Sequence, residues 1–177
     1  MQLWVSGARS LAPLLALAAC AGPSPAYDGT GGAADDPPRP DRSFEATVER
    51  VVDGDTFIAR RDGRELRVRL IGIDAPESVM PGVPVECFGR EAGRALSRLL
   101  AEGVTVQAAY QDGGRRDRFG RQLWDVWLPG GAFVQARLVR RGRAEARAYP
   151  PHTEHADRLD RVEQRARATG VGLWGAC

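Results

Sequence analysis

Three consecutive β-rich segments between residues 44 and 73 constrain the fold more than any other feature of the sequence. They are residues 44–52, where apolar and polar residues alternate, residues 56–60, and residues 66–73, where Leu66, Val68 and Leu70 alternate with Arg67 and Arg69. An alternation with a period of two is typical of a strand that buries one face. Tight turns are expected between them, because Asp-Gly pairs at Asp53 and Asp62 favour such turns. We therefore expect three successive strands, the last two joined as a hairpin.

The remainder of the chain adds two strands and three helices to this pattern. Residues 104–110 and 123–128 have strand character, and helices are predicted over residues 88–101, 132–141 and 153–169. Because 21 Gly and 12 Pro interrupt the chain, an architecture made of helices alone is excluded. Five short strands with helices between and after them predict an α+β domain, a five-stranded OB-type β-barrel with three helices.

The first twenty residues predict a targeting segment. A short apolar run at residues 11–19 ends in small residues followed by Cys20, which is typical of a secretory signal and too short for a spanning helix. Leu17-Ala18-Ala19-Cys20 also resembles the bacterial lipobox, which implies acylation of Cys20. The alternative is ordinary signal-peptidase cleavage near Ala19, with Cys20 as an incidental thiol. We expect a cell-envelope lipoprotein, in the outer membrane of a Gram-negative host, and otherwise a periplasmic or secreted protein.

Residues 21–42 separate the targeting segment from the domain. Gly, Pro, Asp and Ser dominate them without any periodicity, which predicts a flexible tether outside the fold. The folded domain is then expected over residues 43–177. Cys87 and Cys177 fall within it, and an even pair of cysteines in an exported chain suggests a disulfide. Two reduced or buried thiols are the alternative.

All basic side chains of this chain are arginines. They number 25 and the formal net charge is +2, which is too small to indicate a nucleic-acid partner on its own. The planar guanidinium matches the geometry of phosphate oxygens, yet a complete bias toward Arg is equally compatible with genome composition. Only the positions of individual arginines can therefore indicate phosphate binding.

Four separated segments contain the residues of chemical interest: Asp53-Gly54-Asp55-Thr56, residues 69–77, residues 117–121 and Tyr149-Pro150-Pro151. Asp55 starts a predicted strand and Asp74 ends the neighbouring one, so the two carboxylates can meet at one end of the barrel. Ca²⁺ prefers such oxygen ligands, and Glu77 can reach a nearby water. Arg69 and Arg121 can donate to phosphate oxygens. Carboxylates, a metal ion and two arginines are what phosphodiester hydrolysis requires.

In their order and spacing these segments resemble the staphylococcal nuclease family over residues 44–174. The match rests on DGDT after a strand, RLIGIDAPE, a Gly-Arg after a charged aromatic loop, and a terminal Gly-Leu-Trp. The resemblance implies that the carboxylates of Asp55 and Asp74 and the backbone carbonyl of Ala75 bind Ca²⁺. It also implies roles for four further residues: general base or water-orienting residue for Glu77, transition-state stabilisation for Arg69 and Arg121, and nucleotide contact for Tyr149.

The activity that the resemblance implies is that of a Ca²⁺-dependent endonuclease. It would hydrolyse DNA and RNA with low base specificity to 3′-phosphate products, and we expect a monomer. Two departures from the family concern substrate binding: Arg147 stands where the family has a second tyrosine, and residues 78–86 contain no basic side chain. The alternatives are a non-catalytic OB-fold module that binds nucleic acid or a cell-envelope partner, and a structural envelope lipoprotein. Neither alternative requires the catalytic set.

Aromatic and histidine side chains outside these segments are expected to serve the fold. The tryptophans at 124, 127 and 174 are predicted to pack within the barrel and against the helices. His152 and His155 precede or begin the third predicted helix, and we expect them at a solvated helix end and not in a metal site.

Overall fold

The computed structural model of the protein describes residues 35–79, 82 and 84–177. Its strands are β1 (Phe44–Val51), β2 (Thr56–Arg61), β3 (Arg64–Leu70), β4 (Ile73–Asp74), β5 (Thr105–Ala109), β6 (Gln122–Trp127) and β7 (Glu145–Ala146). Its helices are α1 (Gly89–Leu99), α2 (Val134–Arg140), α3 (Ala156–Ala168) and α4 (Leu173–Ala176). Five strands close a barrel in the order β1-β2-β3-β6-β5. This confirms the predicted OB-type barrel in an α+β domain.

One parallel pair distinguishes the barrel from a simple meander. The other neighbouring strands are antiparallel, whereas β3 runs parallel to β6 with Arg69 opposite Leu123. Parallel strands need a long crossover, and the chain between them contains β4, α1 and β5. The C-terminal half of β3 therefore lies beside the start of β6, which brings Arg69 close to the loop that ends at Arg121.

Large aromatic side chains fill the barrel and the space under α2. Phe57 and Trp124 are fully buried, and their ring centroids are 6.2 Å apart. Trp127 packs on Phe133 with ring centroids 5.1 Å apart. Truncation of a buried aromatic side chain to Ala costs about 3–5 kcal/mol. Trp124 and Trp127 thus have the packing role that the sequence predicted, while Trp174 is half-buried beneath the Arg167 guanidinium, 3.7 Å away.

The third predicted strand is interrupted at Gly72. Its φ of 78° lies in the region that favours glycine, so β3 ends at Leu70 and β4 begins at Ile73. β4 pairs with β7 in a separate two-stranded sheet, with Ile73 opposite Ala146. This break takes Asp74 out of the barrel sheet and places it next to the chain that leads to Tyr149.

A disulfide joins the end of the chain to the residues before α1. Cys87 and Cys177 are 90 residues apart in sequence, and their Sγ atoms lie 2.14 Å apart. The one-turn helix α4, which the sequence analysis did not predict, leads directly into Cys177. No helix in the described part of the chain has the length and apolar character needed to cross a membrane. The predicted targeting segment, Cys20 and residues 21–34 lie outside the described residues.

Residues 35–37 contact the domain and form a segment that we call the N-terminal clasp. Asp35 forms ion pairs with Arg140 of α2, at 3.1 Å, and with Arg165 of α3, at 2.5 Å. The prediction that all of residues 21–42 form a tether outside the fold is therefore wrong for its C-terminal part. The reason is physical: the composition of residues 21–42 predicts solvation, but the cations that pair with Asp35 lie more than a hundred residues away in the sequence.

The clasp continues onto β6 and the start of α2. The Asp36 carboxylate accepts a hydrogen bond from the backbone N–H of Phe133 at 3.1 Å. The indole N–H of Trp127 donates to the carbonyl of Pro37 at 3.0 Å. Because Trp127 is 1% exposed, its indole nitrogen would otherwise have to be buried without a partner, which typically costs about 1–3 kcal/mol.

His152 and His155 are packed, which contradicts the expectation of a solvated helix end. His152 is 8% exposed. The Nε2 atom of His155 lies 3.4 Å from an oxygen of Asp125, and its ring meets Phe133 edge-on with centroids 5.0 Å apart. The expectation fails because α3 begins only at Ala156, so the chain before it folds against β6 and α2.

Candidate active site

The turn between β1 and β2 places Asp55 at the end of the barrel. The Asp53 carboxylate accepts a hydrogen bond from the backbone N–H of Asp55 at 3.0 Å, which closes the turn. Gly54 allows the turn to approach the chain after β4, because a Cβ there would lie 2.5 Å from that of Ala75. The backbone carbonyl of Asp55 accepts from Leu70 N–H at 2.9 Å. Asp55 is therefore fixed against the end of β3.

Arg69 connects the two aspartates that the sequence analysis paired. Its Nη1 atom forms an ion pair with Asp55 Oδ2, and its Nη2 donates to Asp74 Oδ1 at 2.7 Å. Its side chain is 12% exposed and that of Asp55 is 9% exposed, whereas that of Asp74 is 41% exposed. The Asp55 carboxylate also accepts from Thr56 Oγ1 and from Ala75 N–H, both at 2.9 Å. Asp55, Asp74, Ala75 and Arg69 thus form one connected cluster.

The outer oxygen of Asp74 faces the chain after β7. Arg147 Nε lies 3.6 Å from Asp74 Oδ2, and the Tyr149 hydroxyl donates to the same oxygen at 3.5 Å. Tyr149 is 54% exposed, so most of its ring is available to a ligand. Arg147 adds a cation at a position where the resemblance led us to expect a tyrosine.

The backbone that follows Glu77 fixes its side chain. Glu77 Oε1 accepts from the backbone N–H groups of Ser78 and Val79, both at 2.7 Å. The backbone N–H of Glu77 donates to Glu86 Oε2 at 2.8 Å, and its carbonyl accepts from Glu86 N–H at 2.9 Å. Hydrogen bonds with Ser78, Val79 and Glu86 therefore hold both the backbone and the carboxylate of Glu77.

Asp117 holds Arg121 in the loop before β6. Its Oδ2 accepts from Arg121 Nε at 2.6 Å, and its Oδ1 accepts from the backbone N–H groups of Phe119 and Arg121, both at 2.9 Å. Phe119 is 69% exposed, and the Arg118 and Arg121 guanidinium carbons lie 4.8 and 5.4 Å from its ring centroid. The sequence analysis quoted Asp117 within this segment but gave it no role. An acid four residues before an arginine, with Gly120 between them, was the available signal.

Burial and neighbouring charges shift the pKa of three groups. Burial lowers the pKa of Arg69. The negative charge of the Asp74 carboxylate opposes this shift, and the positive charge of Arg121 reinforces it. Burial raises the pKa of Asp53, against a hydrogen bond from Thr56 and the charge of Arg69. Burial also disfavours the charged form of Asp117, but hydrogen bonds and charge from Arg121 outweigh it, and the pKa of Asp117 is lowered.

These side chains line one open groove of about 690 Å³. It contains all seven predicted site residues of the domain that do not form the disulfide: Asp55, Arg69, Asp74, Ala75, Glu77, Arg121 and Tyr149. It also contains Asp53, Asp117, Arg118 and Phe119, to which the sequence analysis assigned no catalytic or binding role. The groove therefore brings carboxylates and arginine cations together on one surface.

The donor set of the groove suits a hard cation. Among the described residues no cluster of three or more His, Cys, Asp or Glu side chains has the arrangement of a metal site. The groove does offer the two carboxylates of Asp55 and Asp74 beside the backbone of Ala75, and neither His nor Cys is among its lining residues. Ca²⁺ completes its coordination with backbone carbonyls and water, so an all-oxygen set of this size fits it better than Zn²⁺.

Comparison with known proteins gives matches over the same part of the chain. A family model described as staphylococcal nuclease homologue matches residues 67–176. A thermonuclease of Staphylococcus intermedius is 36% identical over 127 residues, which cover 72% of this chain and 74% of that protein. Endonuclease YncB of Bacillus subtilis (strain 168) is 33% identical over 129 residues, which cover 72% of this chain and 60% of that protein.

Proposed function

This chain belongs to the staphylococcal nuclease family, and from that premise we propose that it is a Ca²⁺-dependent endonuclease. Relatives named thermonuclease and endonuclease support hydrolysis of phosphodiester bonds in nucleic acid. The observation that carries the proposal is the single groove in which Asp55, Asp74, Glu77, Arg69 and Arg121 lie together. We propose DNA and RNA as substrates, with low base specificity and 3′-phosphate products.

The carboxylates of Asp55 and Asp74 and the carbonyl of Ala75 would hold the calcium ion. When bound, the ion would supply positive charge that stabilises the additional negative charge on phosphate in the transition state. Arg69 already contacts both carboxylates, so its guanidinium lies at the place where substrate phosphate would meet them. We propose that it donates to phosphate oxygens there, with Arg121 donating from the loop before β6.

Glu77 would orient the attacking water and accept its proton. The water oxygen forms the new bond to phosphorus, the bond from phosphorus to the 5′ oxygen breaks, and the departing 5′ oxygen takes up a proton from solvent to leave as a hydroxyl. Because two backbone N–H groups hold Glu77 Oε1, the orientation of the carboxylate is set before substrate binds. Such preorganisation avoids a rearrangement during the reaction.

Tyr149 and Asp117 would act on substrate position. The exposed ring of Tyr149 stands beside Asp74, where it can contact the nucleotide next to the scissile phosphate. Asp117 does not need to touch substrate, because its contacts are with Arg121 and with the backbone of its own loop. It is a positioning residue for the Arg121 guanidinium.

A cleavage assay on the full-length mature protein tests the proposal. Labelled single-stranded DNA and RNA should be cut in millimolar Ca²⁺, remain intact in excess chelator, and be cut again when Ca²⁺ is restored; mass spectrometry should find 3′-phosphates. Glu77→Gln keeps the shape of the side chain and removes its charge, so it should lower turnover more than metal affinity. Cleavage at full rate in chelator contradicts the metal assignment. Binding of nucleic acid without cleavage under any condition favours the non-catalytic OB-fold module.

We also propose that the protein is exported and attached to the membrane through acylated Cys20. The support is the sequence alone: the short apolar run, the small residues before Cys20 and the lipobox-like Leu17-Ala18-Ala19-Cys20. A single acyl chain binds membranes only marginally, whereas two or more hold a protein stably. Lipoprotein processing would supply the larger number. Cleavage near Ala19 without acylation would instead give a periplasmic or secreted enzyme.

A further inference from the structure

A second groove, distinct from the catalytic one, is lined by four arginines. Its volume is about 620 Å³, and we call it the arginine groove. It lies between the β2–β3 hairpin and the chain before β6, and its lining consists of Arg61, Asp62, Arg64, Leu66, Tyr110, Arg115, Arg116 and Gln122. Nothing in the catalytic chemistry proposed above uses these side chains.

Three of the four guanidinium groups are held in place by neighbouring side chains. The Arg61 guanidinium carbon lies 3.7 Å from the centroid of the Phe44 ring, and that of Arg115 lies 4.9 Å from the centroid of the Tyr110 ring. With its oxygen toward Arg116, the Gln122 amide accepts from Arg116 Nε and Nη2 at 2.8 and 2.9 Å. Gln122 is 4% exposed. Cations held in this way lose less conformational entropy when they bind a ligand.

The charge of the arginine groove is strongly positive. Its one carboxylate, Asp62, contacts Arg61 at 3.3 Å and is 83% exposed. Arg64, Arg115 and Arg116 form no ion pair with any residue in the described part of the chain. Three unpaired guanidinium groups around one concave surface are suited to a polyanion, and their planar forks match phosphate oxygens.

Two elements contribute residues to both the arginine groove and the catalytic groove. β3 begins with Arg64 in the arginine groove and contributes Arg69 to the catalytic groove near its end. The loop before β6 gives Arg115 and Arg116 to the first groove and residues 117–119 and 121 to the second. Neighbouring residues of this loop therefore line the two grooves.

We propose that the arginine groove binds the sugar-phosphate backbone of the substrate strand beyond the cleaved bond, an inference that rests on the proposed nuclease function. Contacts to phosphates carry no base specificity, in keeping with the low specificity proposed for cleavage. The groove also supplies the cations that are absent from residues 78–86, where the charged side chain is Glu86. The preferred substrate is then a polynucleotide several phosphates long and not a dinucleotide.

The test compares two double variants of the full-length protein with the same change in charge. Arg64→Ala/Arg115→Ala removes two cations from the arginine groove. Arg39→Ala/Arg161→Ala removes two exposed arginines that line neither groove. Binding of a 20-nucleotide thymidine single strand is measured by fluorescence anisotropy in excess chelator, across a series of salt concentrations. Cleavage is measured with Ca²⁺ on the same strand and on a thymidine dinucleotide.

The Arg64→Ala/Arg115→Ala protein, which we call the groove variant, should bind the 20-nucleotide strand about tenfold more weakly than the wild type at low salt. Its plot of log affinity against log salt should be shallower by about 1.4, since each phosphate contact on a single strand contributes about 0.7. The ratio of kcat/KM on the long strand to that on the dinucleotide should fall by a similar factor. The control variant should keep the wild-type slope and ratio. Arg64→Ala alone should lower the slope by about half as much. Because Arg64 is exposed, this single variant is expected to fold, and it keeps the test valid if the double variant misfolds.

Wild-type affinity and slope in the groove variant would overturn the proposal, as would equal losses in the control variant. Retained binding to the strand together with lost binding to vesicles that contain phosphatidylglycerol would assign the arginine groove to a membrane surface. The binding arm needs no catalysis. If the wild-type protein binds the strand, the groove variant does not, and neither substrate is cleaved, then the nuclease proposal fails while the arginine groove stands.

Discussion

Replacement of Asp117 by Asn should disable Arg121 while leaving the loop before β6 folded. The Oδ1 atom accepts from two backbone N–H groups, and the carbonyl oxygen of an Asn side chain can keep both hydrogen bonds. The Oδ2 atom accepts from Arg121 Nε at 2.6 Å, and the NH₂ group of Asn cannot. The substitution therefore removes the charged contact to Arg121 and little else.

The size of the effect follows from the contact that is lost. A hydrogen bond between charged groups contributes about 1.5–3 kcal/mol, and here it fixes the direction of a guanidinium. The upper limit is the loss of Arg121 itself, about 3 kcal/mol or roughly a hundredfold in kcat. We expect Asp117→Asn to lower kcat between about tenfold and a hundredfold, with a smaller change in KM. Asp112→Asn, in the same loop and 98% exposed, is the matched control and should retain the wild-type kcat.

A double-mutant cycle tests whether Asp117 acts through Arg121. If it does, Arg121→Ala and Asp117→Asn/Arg121→Ala should have equal kcat values, since contacts that work as one unit are not additive. A double variant slower by the product of the two single effects would refute a positioning role for Asp117. So would a wild-type kcat in Asp117→Asn.

Because the pKa of Asp117 is lowered, the effect of Asp117→Asn on the unfolding free energy should depend on pH. Because the folded-state pKa lies below that of the unfolded chain, the carboxylate stabilises the fold at pH values above the ordinary aspartate pKa of about 4. That stabilisation is lost as the pH falls through the lowered folded-state value. The difference in unfolding free energy between the wild type and Asp117→Asn, measured in urea, should be constant near neutral pH and shrink below about pH 4. A difference that grows on acidification would contradict the assignment.

Three further predictions concern the ion-pair cluster, the disulfide and the anchor. Arg69→Ala should lower kcat at least a hundredfold or so and, by leaving the buried Asp55 without its cation, reduce the unfolding free energy in chelator by about 3 kcal/mol; equal stability in urea would contradict the cluster. Thiol titration of the denatured, non-reduced mature protein should find neither Cys87 nor Cys177 free, and reduction should cost about 4–5 kcal/mol for a loop of this length; two titratable thiols would exclude the bridge. Cys20→Ser should move the protein out of the membrane fraction, and a soluble wild-type protein with an unmodified Cys20 would contradict acylation.

Local patterns were sufficient to predict the elements that position the site. The alternation before the turn at Asp53 predicted β1, the β-rich segment after that turn predicted β2, and the chain from Leu66 onward predicted β3. With those strands placed, Asp55 at the start of one and Asp74 after another could be assigned to the same end of the barrel. Each of these inferences uses residues close together in sequence, where propensity and turn chemistry dominate.

Contacts between distant residues account for what the sequence did not reveal. The pairing of β4 with β7 involves two residues on each strand, which is too short for any periodic pattern. The packing of His155 depends on Asp125 and Phe133, which approach it only once α2 and β6 are in place. Asp117 was visible beside Arg121, but its hydrogen bonds depend on the turn that Gly120 makes. Tertiary structure therefore decides the first two, whereas the role of Asp117 depends on the conformation of its own loop.

The N-terminal clasp would set how far the folded domain could lie from a lipid anchor at Cys20. A polypeptide spans at most about 3.3–3.6 Å per residue, so the stretch from Cys20 to Asp35 can cover no more than about 50 Å, whatever its conformation. Counted to residue 43, the same estimate would be about 80 Å. By fixing Asp35 on α2 and α3, the clasp shortens the maximum separation by about a third. An enzyme anchored at Cys20 would therefore cleave only nucleic acid that comes close to the membrane surface.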